Sequence, residues 1–441
     1  MIVLAAGQGT RMKSPLPKVL HPVAGRTMLG HVLTAARALE PARLVVVTRP
    51  DAEAIAKAAA PADTAVQHEQ RGTGHAVLAA ADALKGFSGD VLILYADTPL
   101  LTVGTLRRVL AARDTGASVA VLGFHPAYPG PYGRLVTADD GSLTGIVEAK
   151  DATPDEAAIG FCNSGVMAAD AETLFRLLPK VGSNNAKNEI YLTDVIALAV
   201  GEGLKAAAVA GDASEVLGVN SQAELAEAEA AFQARARLAH MAAGVTLSDP
   251  STIYFAADTE IGPGTSVGQN VVFGPGVKIA EGVTIKPFSH LEGVTIARGA
   301  VVGPFARLRP GAVLGEDTHV GNFCEIKEAT LGKGTKVNHL SYIGDASLGA
   351  GVNIGAGTIT CNYDGFFKYR TTIEDGVFIG SNASLVAPVT VGRNANTAAG
   401  SVITKDVAPD ALAITRPPQV EKAGWAARFR AMMKARKDKK D

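Results

Sequence analysis

The stretch that decides the fold runs from residue 261 to residue 285 and reads IGPGTSVGQNVVFGPGVKIAEGVTI. Its apolar residues Ile261, Val267, Phe273, Ile279 and Ile285 recur at every sixth position. This spacing matches neither the ~3.6-residue turn of an α-helix nor the two-residue alternation of an ordinary strand. It predicts a parallel β-helix of hexapeptide repeats, in which three hexads close one coil of about 18 residues.

The same spacing continues to residue 403. It slips by one residue after Leu291, Ile326 and Ile343, and it breaks from about Thr360 to Thr372. An ordinary β-sandwich does not produce so regular a register. The break contains CNYDGFF and predicts a loop that leaves the regular wall and carries function. The anchors after Ile285 are Leu291, Ile296, Val302, Leu308, Leu314, Val320, Ile326, Leu331, Val337, Ile343, Leu348, Ile354, Ile373, Ile379, Leu385, Val391, Thr397 and Ile403.

The N-terminal half has a different sequence pattern, in which short apolar runs alternate with segments of helical periodicity. This alternation predicts βα units and a mostly parallel sheet. Residues 222–243 are rich in Ala, Glu and Arg, which favours a helix that links two domains. The strand-like runs are Ile2–Ala5, Leu44–Thr48, Val91–Tyr95 and Val119–Leu122. The predicted organisation is an α/β domain over 1–221, a linker helix over 222–243, and a β-helix domain with a basic tail over 244–441.

The composition limits the possible partners and compartments. The 441 residues carry 42 basic and 43 acidic side chains, so no global field attracts nucleic acid or an anionic membrane. Three widely spaced cysteines indicate neither a disulfide framework nor a zinc cluster, and they suit a reducing compartment. No stretch approaches the roughly 18 apolar residues of a membrane span. The sequence predicts a cytoplasmic protein that binds no nucleic acid and spans no membrane.

A candidate phosphate site lies directly after the first strand. Residues 4–12 read LAAGQGTRM, and Pro17 and Lys18 come soon after. A glycine-rich turn lets backbone N–H groups approach phosphate oxygens, and a helix beginning there would add its positive dipole. Arg11 and Lys18 supply positive charge. The pattern matches neither GxGxxG nor a P-loop, which disfavours nicotinamide-cofactor and Walker-type functions.

The string LAAGQGTRM with PK after it resembles the sugar-1-phosphate nucleotidylyltransferases. Further strings are similar to the bifunctional N-acetylglucosamine-1-phosphate uridylyltransferase / glucosamine-1-phosphate acetyltransferase family: GTGHA at 72–76, LYADTPL at 94–100, YGR at 132–134, GIVE at 145–148, NSG at 163–165 and GVN at 218–220. The resemblance implies a Rossmann-like domain in which Arg11 and Lys18 are catalytic and Asp97 and Asn220 bind Mg²⁺. It implies that UTP and the sugar phosphate contact Leu4, Ala5, Gly7, Lys18, Gln67, Gly72, Thr73, Tyr95, Gly133, Glu148, Asn163 and Asn220.

The C-terminal strings resemble the acetyltransferase half of the same family. They are GPFARLRPG at 303–311, VGNF at 320–323, HLSYIGD at 339–345 and NIGAGTITCNYDG at 353–365. The resemblance implies a left-handed β-helix in which His339 is the catalytic base, a task that suits a side chain whose pKa lies near neutrality. It implies glucosamine-1-phosphate contacts from Arg309, Lys327, Tyr342 and Asn353. It implies acetyl-CoA contacts from Ala356, Asn362, Tyr363, Ser381, Ala399 and Arg416.

Two alternatives compete with this interpretation. One is a single-activity sugar-1-phosphate nucleotidylyltransferase with a structural, trimerising β-helix, which His339, Tyr342 and Asn362 disfavour. The other is a non-catalytic trimeric scaffold with a degenerate N-terminal domain, which Lys18, Asp97 and Asn220 disfavour. The family resemblance implies a homotrimer. The tail 428–440 carries seven basic residues and either reaches the CoA phosphates of a neighbouring subunit or only solubilises the chain.

Overall fold

The computed structural model describes residues 1–439, so Lys440 of the predicted basic tail and Asp441 lie outside the described residues. The chain forms two compact units. The first comprises Met1–Ala239 and Tyr254–Ala257, and the second comprises His240–Ile253 and the chain from Asp258 onward. A separate linker was expected over 222–243, but most of the helix Gln222–Ala242 belongs to the first unit, because Ala228 and Gln233 on that helix are buried.

The first unit is built on a mixed, mostly parallel sheet, as predicted. Its strands lie side by side in the order Ala206–Ala210, Val119–Phe124, Cys162–Asp170, Asp90–Tyr95, Ile2–Leu4, Val45–Thr48 and Asp63–Val66. Cys162–Asp170 runs antiparallel to both of its neighbours. A hairpin of Arg134–Thr137 and Leu143–Val147 extends from Cys162, and a second small hairpin joins Pro22–Val23 to Arg26–Thr27.

Helices and turns cover both faces of this sheet. Successive strand residues point to opposite faces, so Ile2 and Ile93 belong to one apolar core and Val3 and Leu92 to the other. The α-helices of this unit are Met28–Arg37, Glu53–Ala59, Thr73–Ala79, Val103–Asp114, Pro154–Ala157, Ala171–Leu177, Asp194–Gly201 and Gln222–Ala242. Short 3₁₀ turns span Thr10–Met12, Lys18–Leu20, Asp82–Leu84, Leu178–Lys180 and Ala213–Glu215.

The second unit is a parallel β-helix with three walls. The first wall contains Thr246–Leu247, Ser266–Val267, Thr284–Ile285, Val301–Val302, His319–Asn322, Lys336–His339, Asn353–Ile354, Phe378–Ile379, Asn396–Thr397 and Leu412–Ala413. The second contains Val272–Phe273, His290–Leu291, Arg307–Leu308, Ile359–Cys361, Ser384–Val386 and Val402–Ile403. The third contains Glu260–Ile261, Lys278–Ile279, Val294–Ile296, Ala312–Leu314, Thr371–Ile373 and Val389–Val391. Glu325–Leu331 and Tyr342–Leu348 each span the second and third walls.

The hexad pattern is confirmed residue by residue. Every predicted anchor from Val267 to Ile403 is buried, and only Ile261 in the first coil is half-buried. The slips of one residue have a structural meaning: Ile261 pairs with Ile279, 18 residues on, whereas Ile279 pairs with Ile296, 17 residues on. The unit also contains a 3₁₀ turn at Pro250–Thr252 near its start and a helix at Trp425–Lys437 near its end.

The predicted break is also confirmed. Leu348 pairs with Ile373, so this coil takes 25 residues, and the extra residues form a hairpin outside the wall. Tyr363 and Lys368 bridge its two arms, and the backbone N–H of Tyr369 donates to the carbonyl of Asn362 at 2.9 Å. The excursion therefore leaves the wall after Cys361 and has an ordered base.

Candidate active sites

A cavity of about 320 Å³ opens at the carboxyl ends of the central parallel strands. Ile2–Leu4 and Asp90–Tyr95 pair in parallel there, with Leu4 opposite Tyr95. Ligands of open α/β sheets bind at such an edge. Nine predicted uridylyl-site residues line this cavity: Leu4, Ala5, Gly7, Lys18, Gln67, Gly72, Thr73, Tyr95 and Asp97. Three of the sequence strings that carry the resemblance are thus brought to one place: LAAGQGTRM, GTGHA and LYADTPL.

The glycine-rich turn is shaped by close backbone contacts. Gly9 has a φ of 66°, and a Cβ placed on it would lie 2.5 Å from the Cβ of Lys18, so a larger residue would displace the lysine. The prediction that a helix begins after this turn and adds its dipole is wrong. Residues Thr10–Met12 form only a single 3₁₀ turn, which has too few aligned peptides for a substantial dipole. Arg11 is exposed and lies outside the cavity lining, so its catalytic role stays a prediction.

The charged groups of this cavity converge on one point. Lys18 Nζ lies 2.5 Å from Asp97 Oδ2 and 3.0 Å from Asn220 Oδ1, and the lysine and aspartate side chains are only 10% and 21% exposed. The backbone N–H of Val219 donates to the carbonyl of Asp97 at 2.9 Å, which brings the two distant segments together. The two predicted metal ligands therefore present oxygen atoms to a single cation position, which the lysine ammonium occupies.

The predicted sugar-binding residues lie outside the lining of this cavity. The backbone N–H of Asn163 donates to the carbonyl of Gly133 at 2.8 Å, and Asn163 Oδ1 accepts from the N–H of Gly165 at 2.9 Å. The carboxylate of Glu148 accepts from the Thr193 hydroxyl at 3.3 Å. Burial raises the pKa of Glu148, and the charge of Lys187 opposes that rise. Burial also raises the pKa of Tyr95, so its phenol stays protonated.

Two polar residues of the cavity lining, Gln70 and Glu189, had no assigned role in the sequence. Gln70 Nε2 donates to the carbonyl of Ala6 at 2.9 Å and so supports the glycine-rich turn. Glu189 precedes Ile190, whose carbonyl accepts from the N–H of Gly74 at 2.8 Å. Gln70 lies just before the GTGHA string, so its position in the sequence could have indicated that it lines the site. Glu189 reaches the cavity only through tertiary packing, and no local pattern indicates it.

In the β-helix, His339 lies on the first wall beside Asn322. The two residues pair in register, and His339 Nδ1 is 3.2 Å from Asn322 Oδ1. An amide oxygen only accepts hydrogen bonds, so this contact favours the tautomer with its proton on Nδ1 and leaves Nε2 free as a base. Asn322 belongs to a matched string, but the sequence did not assign it this orienting role.

The predicted phosphate-binding cations lie on the second wall, and each has an acidic neighbour. Arg309 Nη1 is 2.8 Å from Glu325 Oε1, and this hydrogen bond raises the pKa of the guanidinium. Lys327 Nζ is 3.4 Å from Asp345 Oδ2. Tyr342 belongs to the same wall, whereas Asn353 lies on the first wall opposite Lys336. The predicted sugar-phosphate contacts are thus divided between two walls.

Four of the predicted acetyl-CoA residues lie along the corner between the first and second walls: Ala356, Ser381, Ala399 and Arg416. The other two lie where the chain passes from the second wall to the third. The N–H of Asn382 donates to the carbonyl of Ala356 at 2.7 Å, and the N–H of Gly400 donates to the carbonyl of Ser381 at 2.8 Å. Arg416 Nη1 donates to the carbonyl of Ala399 at 2.7 Å. Asn362 and Tyr363 begin the excursion. In the single chain, His339, Tyr363, Ser381, Ala399 and Arg416 are all exposed.

The metal expected at the first site would need ligands beyond the protein. Among residues 1–439, no group of three or more His, Cys, Asp and Glu side chains could hold a metal ion by itself. A metal bound by Asp97 and Asn220 must therefore complete its shell with water or substrate oxygens. Over the same described range, none of the helices combines the length and the apolarity that a membrane-spanning helix requires.

Both halves of the chain match known proteins. The family described as MobA-like NTP transferase domain matches residues 1–136, and Bacterial transferase hexapeptide (six repeats) matches residues 258–293 and 370–405. The bifunctional protein GlmU of Paramagnetospirillum magneticum is 56% identical over 100% of this chain and 98% of its own length. The GlmU proteins of Dinoroseobacter shibae and Ruegeria pomeroyi are 58% and 57% identical over the same shares. The chain therefore belongs to the GlmU family of bifunctional proteins, with a nucleotidyltransferase domain ahead of a hexapeptide-repeat acyltransferase domain.

Proposed function

We propose that this chain makes UDP-N-acetylglucosamine in two steps at two separate sites. The C-terminal domain acetylates the amine of glucosamine-1-phosphate with acetyl-CoA. The N-terminal domain then transfers UMP from UTP to N-acetylglucosamine-1-phosphate and releases pyrophosphate. The observation that carries the proposal is the convergence of the phosphate loop, Lys18 and Asp97 on one cavity, in a chain whose relatives match both domains over nearly their full length.

In the uridylyl step, a phosphate oxygen of the sugar attacks the α-phosphorus of UTP, and the bond to the β-phosphate breaks. Such a reaction depends on positioning and charge neutralisation rather than on covalent catalysis. The backbone of residues 4–7 contacts the phosphates, and Lys18 and Arg11 neutralise their charge. The nucleotide is held by Gln67, Gly72, Thr73 and Tyr95, and the sugar by Gly133, Glu148 and Asn163.

Asp97 and Asn220 are the residues that would hold Mg²⁺. The oxygens of both side chains already meet one cation, the ammonium of Lys18, at 2.5 Å and 3.0 Å. Oxygen donors that leave room for water suit Mg²⁺, which gives up its hydration reluctantly. When bound, the ion supplies further neutralisation of phosphate charge.

In the acetyl step, the sugar amine attacks the thioester carbonyl while His339 Nε2 removes the amine proton. The carbon–sulfur bond then breaks, and CoA leaves with a proton as the thiol. Arg309 and Lys327 hold the sugar phosphate, and Tyr342 and Asn353 hold the sugar ring. Acetyl-CoA is held by Ala356, Asn362, Tyr363, Ser381, Ala399 and Arg416.

We further propose that the acetyl site is completed in a homotrimer. Many of its residues are exposed, and they lie on two walls and two corners of one chain, so an opposing surface is needed to enclose the substrates. The exposed rings of Phe288, Phe305 and Phe323 stack with centroids 5.0 Å and 5.2 Å apart, which leaves an apolar strip for a neighbour to cover. The chain's three cysteines are free, which supports a cytoplasmic setting.

A product assay tests both activities together. The purified chain is incubated with glucosamine-1-phosphate, acetyl-CoA, UTP and Mg²⁺, and the products are identified by mass. UDP-N-acetylglucosamine should form, and N-acetylglucosamine-1-phosphate should accumulate when UTP is omitted. Uridylyl transfer to added N-acetylglucosamine-1-phosphate without any acetyl transfer would instead identify a single-activity nucleotidylyltransferase with a structural β-helix.

A further inference from the structure

Asp345 is not among the proposed substrate-binding residues, yet it lies between two of them. It belongs to the strand Tyr342–Leu348, at the corner between the second and third walls, and its φ is 47°. Its side chain is only 17% exposed. Asp345 Oδ2 is 3.4 Å from Lys327 Nζ, and the same oxygen accepts a short hydrogen bond from Asn362 Nδ2.

The two partners of Asp345 come from different parts of the acetyl site. Lys327 is on the preceding coil and is proposed to bind the sugar phosphate. Asn362 is the first residue of the excursion and is proposed to bind acetyl-CoA; its carbonyl accepts from the N–H of Tyr369 at the base of that hairpin. The Tyr342 hydroxyl is a further 3.4 Å neighbour of Asn362 Nδ2. A single carboxylate oxygen of Asp345 thus contacts both Lys327 on the β-helix wall and Asn362 at the start of the excursion.

We propose that Asp345 is a positioning residue for acetyl transfer, whose carboxylate fixes Lys327 and Asn362 relative to each other and thereby aligns the sugar phosphate with acetyl-CoA. The inference rests on the proposed function of those two residues. A long lysine side chain and a loop-borne amide lose much conformational freedom on being ordered. A charged acceptor on a rigid coil imposes that order before the substrates arrive, and alignment is what a two-substrate reaction requires. Asp345 acts through its partners and touches neither substrate.

Steady-state kinetics of single and combined variants test this role. Lys327→Met should raise the KM for glucosamine-1-phosphate, and Asn362→Ala should raise the KM for acetyl-CoA. Asp345→Ala should raise both KM values and lower acetyl transfer by about tenfold in kcat/KM, while uridylyl transfer is unchanged. Asp345→Asn should recover part of this loss, because its amide oxygen still accepts hydrogen bonds.

The matched control is Glu328→Ala. Glu328 occupies the equivalent corner one coil earlier with a φ of 46° and is exposed, so the substitution places alanine at an equivalent left-handed position and should leave both KM values unchanged. If Asp345→Ala does not fold, Asp345→Asn carries the test with a smaller expected rise in both KM values, because asparagine tolerates the left-handed backbone but its neutral amide holds Lys327 more weakly.

A triple variant separates positioning from a purely structural role. Adding Asp345→Ala to the Lys327→Met, Asn362→Ala double variant should cause no further loss, because the partners through which it acts are already gone. A further additive loss, or a change in only one of the two KM values, would overturn the inference. Unchanged acetyl transfer in both Lys327→Met and Asn362→Ala would reject the proposed substrate contacts themselves, and the role of Asp345 would fall with them.

Discussion

The two proposed sites differ in how much of each one chain supplies. The N-terminal site is a cavity of about 320 Å³ lined mostly by segments between Leu4 and Asp97, with Asn220 close by. Many of the C-terminal residues are exposed, and they are spread over two walls and two corners. A parallel α/β sheet gathers its loops at one edge, where they face each other. A β-helix stacks successive coils, so residues of one wall lie side by side and cannot face each other. The first fold makes a pocket alone, whereas we propose that a partner surface completes the second site.

The largest expected effects come from removing one group from each site. Asp97→Ala should lower uridylyl transfer and His339→Ala should lower acetyl transfer, each by roughly 10²–10⁴ in kcat, because one loses a metal ligand and the other a general base. Each variant should keep the other activity at the wild-type rate. Separate assays with N-acetylglucosamine-1-phosphate plus UTP, and with glucosamine-1-phosphate plus acetyl-CoA, measure the two rates.

Asn322→Ala provides a graded control for the His339 variant. It leaves the imidazole in place but removes the oxygen that sets its tautomer, so acetyl transfer should fall less than in His339→Ala. Loss of both reactions in any variant with wild-type circular dichroism would break the division between the sites.

Mixed trimers test whether the acetyl site needs two chains. His339→Ala and Arg416→Ala chains should each be weak alone. When they are unfolded together, refolded and allowed to form mixed trimers, random assembly should restore about a quarter of the wild-type acetyl transfer if each site takes His339 and Arg416 from different chains. Uridylyl transfer should be at the wild-type rate in every mixture.

The control for this experiment is the mixture of Asp97→Ala and Lys18→Ala chains. Both residues contact each other within one chain, so mixing should restore no uridylyl transfer. Absence of acetyl rescue in verified mixed trimers would show that one chain supplies both His339 and Arg416. A fully active monomer in sedimentation would overturn the trimer proposal.

Truncation tests whether the first unit folds and works on its own, and its expected effects are smaller than those of the active-site variants. A fragment ending at Ala257 should keep uridylyl transfer within about twofold of the full chain, because it retains all of the contacts within this compact unit. A fragment ending at Ala230 should be less stable by about 1–3 kcal/mol, because it lacks buried Gln233, whose amide bonds the N–H and carbonyl of Phe255 at 2.9 Å and 2.7 Å. Urea titration monitored by circular dichroism compares the two fragments. Equal stability would show that the helix beyond Ala230 is dispensable.

How far the sequence predicted the molecule also differs between the two regions. In the β-helix, each anchor is determined by its spacing from the next, so both the slip between Leu291 and Ile296 and the long coil before Ile373 were predictable from spacing alone. In the α/β unit, the sequence predicted four of the strands and the glycine-rich turn after the first of them. The contact of Ile190 with Gly74 and the packing of the helix at Gln233 were not predicted, because both depend on chain segments that come together only in the folded tertiary structure.

The site residues show the same limit. The family strings named Lys18, Asp97 and Asn220, but nothing in the local sequence indicates that the lysine ammonium meets both oxygens. The prediction of a helix dipole after Gly9 was wrong, because only a short 3₁₀ turn follows it. A glycine-rich turn indicates that phosphate oxygens can approach the backbone, but it does not specify the length of the next helix. Asp345 lies within a matched string but had no assigned role, since its two partners meet only through the stacking of neighbouring coils.

The smallest expected effect concerns the cost of enclosing a carboxylate in the N-terminal domain. Burial raises the folded-state pKa of Glu148, so between the unfolded and folded pKa values the folded chain binds more protons, and stability falls as pH rises through that window. Glu148→Gln removes this penalty, and in the fragment ending at Ala257 it should raise the Tm at pH 7 by on the order of 2 °C. At about pH 4 the difference should shrink, because the wild-type carboxyl is then largely protonated in both states. Glu202→Gln is the matched control and should have the opposite effect. Hydrogen bonds from Lys180 and Arg176 lower the pKa of Glu202. This variant should therefore lower the Tm at pH 7, and its effect should disappear as the pH falls. A Tm change of the same sign in both variants would show that burial of Glu148 does not set the pH dependence, and the contrast between an enclosed and an open site would then rest on geometry alone.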